Sequence, residues 1–258
     1  MTDESKGAFF NDPEVKARAL EEMRAADDYR WRIDPAIPGR WGLPAPLVTL
    51  IGCVAQGMAA EGAPLAGSDI LSSIGPGSDV ASVVPLFLAW AMAPAPEGAG
   101  ILVSLSFDEA AVIERAVALC RKRAAGERVD PRDWGRLARA ANRASDVESK
   151  GAADAVGSDA RAAALLDAAA AAASSSVVRY ACRVDDEKAH TPLPPVWHFW
   201  KILWCVARLR ARSSPGDASR IPLAAMSYEK LLGLLGAPVP EPTGPSFRDR
   251  CGAILSPE

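Results

Sequence analysis

Histidine, cysteine and clustered acids are the residues with which a chain of this kind would do chemistry. His190 and His198 are the two histidines, and they lie near Cys182, Cys205 and the acids Asp185, Asp186 and Glu187. Metal ligands usually come in pairs with about two to four residues between them. The intervals from Cys182 to His190, His198 and Cys205 hold seven, seven and six residues. No metal and no other cofactor is expected. An enzyme whose site is assembled from distant residues, Asp185, Asp186, Glu187, His190 and His198, stays open as an alternative. No Ser or Cys nucleophile motif accompanies it, so the chain is read as leaning away from an enzyme.

Three further patterns carry possible binding chemistry. Gly75-Pro76-Gly77-Ser78-Asp79 has the glycine content of a phosphate loop but neither its lysine nor a preceding strand. It reads as a turn followed by a helix cap, and Gly98 to Gly100 reads as a turn. Arginines gather at Arg121 to Arg123, at Arg128 and Arg132, and at Arg208 to Arg212. A nucleic-acid surface needs such clusters on one face, whereas cations in a last helical turn have a local explanation in the helix dipole. Trp197, Trp200 and Trp204, with Arg208, are the candidate partner-binding residues. On one helix they present aromatics beside a basic stripe, as a docking or membrane-surface helix does. The same tryptophans equally suit a helix that fills a core.

These side chains must be held by helices. Asn11-Asp12-Pro13-Glu14 combines a capping Asp, a Pro at the first helical position and an acid in the first turn. It predicts a helix from Pro13 to about Tyr29. Residues 31–77 are broken by Pro and Gly, and they predict loops with one short helix near Leu47 to Ala60. Trp31 and Trp41 are expected to anchor those loops. Ser82 to Met92 predicts an apolar helix with Pro85 in its first turn. Ile101 to Leu105 is the one candidate strand, or else an extended loop. Ser106 to Glu109 matches a capping box. Behind it Ile113, Ala116, Val117, Cys120 and Ala124 fall on one helical face. Gly126 suits a C-cap.

Asp130-Pro131-Arg132-Asp133 repeats the first start signal, with Trp134, Leu137, Ala138 and Ala141 facing inward. Ala138 to Ser176 is alanine-rich and predicts two or three closely packed helices, divided at Gly151 and Gly157. Pro195 opens an aromatic helix over Val196 to Ala211. A last helix is expected around Tyr228 to Leu235.

Phe9-Phe10-Asn11-Asp12-Pro13-Glu14-Val15-Lys16 forms the first of three linked stretches. The second is Ile70-Leu71-Ser72-Ser73-Ile74-Gly75-Pro76-Gly77-Ser78-Asp79, leading to the apolar helix that ends near Trp90. The third is Val112 to Leu119 with Ala124 to Asp130 and Trp134. Together they resemble a family of alanine-rich helical proteins of bacteria. The resemblance covers roughly the first two-thirds of the chain and leaves out the aromatic helix after Pro195. It implies a helical fold and supplies no catalytic residue, because the family carries no assigned activity. The alanine-rich region is also similar in composition to immunity-type helical proteins that neutralise a partner toxin.

Bulk properties set the outer limits. The chain has 258 residues, 49% hydrophobic and 24% charged, with a net charge of −3. Such a composition builds a globular core and gives no global attraction to nucleic acid or an acidic membrane. The apolar stretches Val80 to Ala93 and Val196 to Leu209 are shorter than a membrane span, and they read as buried helices. The start Met1 to Lys6 is polar and acidic, without the apolar stretch of a secretory signal. Five dispersed cysteines without CxxC suit reduced thiols, hence a cytoplasmic protein.

The expected architecture is all-α, a multi-helix array with an alanine-rich middle and Pro/Gly-rich loops. Residues 1–189 would form the helical domain, and 190–258 an aromatic helix, a short helix and a Pro-rich tail on the same core. The expected function is non-enzymatic binding of another protein, as an accessory subunit or an immunity-type partner binder. A nucleic-acid-associated subunit of a larger complex is the second alternative.

Overall fold

The computed structural model describes residues 12–26, 43–63, 65, 67–75, 78–102, 107–154, 169, 172–184, 195–213 and 222–237. Among these the chain is all-α, and no strand occurs. The helices are α1 (Pro13–Ala26), α2 (Ala45–Ala60), α3 (Gly67–Ser72), α4 (Val80–Met92), α5 (Phe107–Ala124) and α6 (Pro131–Asp154). They continue with α7 (residues 172–181), α8 (Pro195–Ser213) and α9 (Leu223–Leu234). The chain divides into two compact units, Met1–Phe87 with Pro222–Glu258, and Leu88–Ile221.

The first unit is built around α2. Its sequence carries no charge, and it is buried on nearly every side, from Leu47 and Val48 through Ile51 and Val54 to Met58. A helix that is apolar all round belongs in a core. Helices α3 and α9 pack on it, and α1 packs on α3. The helix expected near Leu47 to Ala60 is α2, which carries Pro46, Gly52 and Gly57 within it, and α3 is a second helix where loop was expected.

Polar side chains tie the ends of these helices. The Asp12 carboxylate accepts from the Glu14 and Val15 N–H groups at 2.9 and 3.2 Å, the N-cap expected from the sequence. Lys16 Nζ donates to the Ser72 and Ile74 carbonyls at 2.7 and 2.6 Å, closing the C-terminal end of α3 with a cation. Glu61 follows α2 and accepts from the Ala224 and Ala225 N–H groups at 3.2 and 3.4 Å. Pro222 precedes α9 and gives no side-chain cap, so a carboxylate remote in sequence does that work.

In the second unit α5 packs on α6. Ile113, Ala116, Val117 and Cys120 are buried as their spacing requires. The start signal at Asp130 is realised, since its carboxylate accepts from the Arg132 N–H at 2.8 Å. Gly126 ends α5 at φ 76. There Glu127 N–H donates to Lys122 O at 3.0 Å and Gly126 N–H to Arg123 O at 2.9 Å, a Schellman closure. The Ser175 hydroxyl on α7 donates to the buried Ala141 carbonyl of α6 at 2.7 Å.

Several expectations are corrected. Pro85 lies inside α4, beyond its first turn. It leaves the Ala81 carbonyl without its helical N–H partner, and the ring is buried in a helix that has no charged residue. Gly151 does not divide the alanine-rich region, because α6 continues through it to Asp154. One glycine costs about 1 kcal/mol in a helix, which strong alanine propensity on either side offsets. Ile101 and Leu102 are buried but not in a strand. Helix α9 starts at Leu223, ahead of the expected Tyr228. Tyr29, Trp31, Trp41, Val103 to Ser106 and Gly157 lie outside the described residues.

Candidate functional site

Helix α8 carries the candidate residues. Pro195 occupies its first position, where a missing N–H costs nothing. Val196, Phe199, Leu203, Val206 and Ala207 are buried on one side. Trp200 joins them at 2% exposure, so this tryptophan is a core residue and not a presented one. Trp197 and Trp204 are half-buried, and Arg208 is exposed. They stand with Lys201 at i, i+4, i+7 and i+11, which is one stripe along the border of the buried side.

The stripe is pre-ordered by ring contacts. Lys201 Nζ stands 5.4 Å from the Trp197 ring centroid, a cation–π pair. Trp204 leans on buried Trp200 at 6.3 Å and 46°, so the core ring backs the outer one. His198 meets Trp197 edge to face at 5.4 Å and stacks on Tyr180 of α7 at 4.8 Å and 11°. Burial lowers the His198 pKa, and the charge of Arg183 lowers it further. One face of the imidazole is covered by the Tyr180 ring, and the neutral form is favoured. This is the environment of a packed histidine.

The remaining chemical candidates disperse. Asp185, Asp186, Glu187 and His190 lie outside the described residues. Among the described residues no group of three or more His, Cys, Asp or Glu could hold a metal ion. Burial pushes the Cys182 thiol up to about 12, which makes it a poor nucleophile near neutral pH. Cys53 and Cys120 are buried, and Cys205 is exposed on α8. In the phosphate-loop-like segment Ser78 donates its hydroxyl to the Leu235 carbonyl at 2.8 Å, which is a structural tie.

No protein-family model, curated protein or solved structure matches this chain.

The arginine clusters differ in setting. Arg121 pairs with Glu97 at 3.3 Å, and both side chains are well exposed. Arg128, Arg132 and Arg208 are exposed. No helix of the described residues is long and apolar enough to cross a membrane. The Lys201 member of the stripe was legible as a polar position on the helical wheel. Its pairing with Trp197 depends on side-chain direction, which spacing alone does not give.

Proposed function

We propose that this chain is a protein-binding module, an accessory subunit or immunity-type partner binder, that docks through α8. The observation that carries this reading is the Trp197–Lys201–Trp204–Arg208 stripe. Two indoles sit half-covered by their own neighbours and keep part of their surface open to solvent. Tryptophan and arginine are the residues most enriched where protein interfaces hold their binding energy. Their ordering before contact reduces the entropy lost on docking. The family resemblance of the first two-thirds of the chain favours the same reading, since it supplies a helical scaffold and no catalytic residue.

The test is capture of the full chain from its source cells under mild conditions, beside the double variant W197A/W204A. A stoichiometric partner recovered with the natural chain and lost with the variant supports the proposal. A stable monomer without a partner, or a partner held equally by both, overturns it.

A further inference from the structure

The docking reading leaves the chemistry of the partner open, and the charge pattern around α8 narrows it. Helix α8 contains Lys201, Arg208, Arg210 and Arg212 and no Asp or Glu; the segment 172–184 adds Arg179 and Arg183, and Asp185, Asp186 and Glu187 follow it in sequence. The whole chain has a net charge of −3, with 32 acids against 29 Lys and Arg. Helix α8, with four cations and no acid, therefore inverts the chain's own balance. Tyr180 stacks on His198, so the two segments meet beside the stripe.

Three kinds of partner answer a cationic and aromatic surface: an acidic protein segment, a single-stranded nucleic acid and an anionic membrane. The rings discriminate between them. Nucleobase recognition needs free indole faces on which bases stack. Here Lys201 lies over the Trp197 ring, His198 packs against the same ring, and Trp204 leans on Trp200. A membrane-surface helix needs its large apolar face turned to lipid. The large apolar face of α8, with Phe199, Trp200 and Leu203, is turned into the protein. What stays open is indole surface alternating with cations at one-turn intervals. That pattern is complementary to a peptide that alternates carboxylates with apolar anchors.

We infer that the α8 stripe receives an acidic protein segment whose carboxylates meet Lys201 and Arg208 while apolar side chains rest on the part of Trp197 and Trp204 that stays exposed beside the covered ring faces. This rests on the docking reading above and adds the class of partner to it.

The experiment uses the immobilised full chain and a displayed library of random 16-residue peptides, selected in parallel on W197A/W204A and on K201E/R208E. The expected outcome is a set of peptides rich in Asp and Glu with apolar residues three or four apart. Those peptides should bind K201E/R208E about tenfold or more weakly, because the reversed charges repel them. Two further probes, poly(U) and vesicles of phosphatidylcholine with phosphatidylglycerol, should bind more weakly than the selected peptides. Peptides that need Trp197 and Trp204 but lack acids, or that tolerate the charge reversal, overturn the acidic-partner inference and leave the docking reading standing. No peptide that depends on the tryptophans overturns both. Tighter binding of poly(U) or of the vesicles replaces the acidic segment with that partner.

Discussion

At the residue scale, tryptophans four positions apart or fewer do different work. Trp200 is enclosed by its unit, and Trp197 rests on the surface under Lys201. Trp200→Ala is expected to cost about 3–5 kcal/mol in urea unfolding, as large aromatic truncations in cores do. Trp197→Ala should cost about 1 kcal/mol or less and leave its effect in partner binding. Equal losses at the two positions would refute the division. Glycines separate in the same way. A Cβ on Gly98 would stand 2.5 Å from the Ala93 Cβ, the Ala93 carbonyl and the Trp90 carbonyl, while one on Gly233 meets nothing within 4 Å. Gly98→Ala should destabilise by about 1–3 kcal/mol, since backbone atoms cannot step aside. Gly233→Ala, inside α9, should stabilise by about 0.5–1 kcal/mol.

Glu61 gives the residue scale its pH dependence. Burial raises its carboxyl pKa, and the Ala224 and Ala225 N–H groups pull it part of the way back. A carboxyl with a raised folded pKa holds its proton more tightly in the folded chain. Its stabilising contribution is complete below the unfolded pKa of about 4.3, and it is lost as pH rises through the raised value. Glu61→Gln does not titrate. The stability of the natural chain relative to that variant should therefore fall across this window when urea midpoints are compared pH by pH. A difference that stays flat would show that the buried carboxyl does not titrate differently from the unfolded one.

At the scale of the helix, start and stop signals were the most legible part of the sequence. Asp12-Pro13 and Asp130-Pro131 both open helices with the Asp carboxylate on the first free N–H groups, and Gly126 closes one in the left-handed region. These signals are local, so they survive without knowledge of the fold. Asp130→Ala is expected to cost about 1 kcal/mol, and Gly126→Ala about 1–2 kcal/mol through its positive φ. Thermal unfolding of both variants checks this. The illegible parts depended on tertiary context. Pro85 in mid-helix is tolerated because the surrounding burial outweighs one missing hydrogen bond. The cap of α9 comes from Glu61, more than 160 positions away, and no sequence window contains it. The candidate site was half legible. Spacing put Trp197, Trp200, Trp204 and Arg208 on one helix, but only packing separated Trp200 from the others. Asp185, Asp186, Glu187 and His190 are not described, so the enzyme alternative rests on sequence alone.

At the scale of the whole molecule, the first unit is discontinuous in sequence and the second is inserted within it. Helix α2 is covered in part by α9, which belongs to the far end of the chain. A protein emerging from the ribosome at about 5–20 residues per second keeps α2 waiting on the order of ten seconds before residue 222 is made. Throughout that interval its apolar flank has no α9 to lie against. The nascent chain therefore presents a chaperone substrate at a fixed stage of synthesis, while the intervening residues are free to fold as a unit. A chain stopped after Ile221 should bind trigger-type chaperones or 8-anilinonaphthalene sulfonate, and one extended through Ala237 should release them.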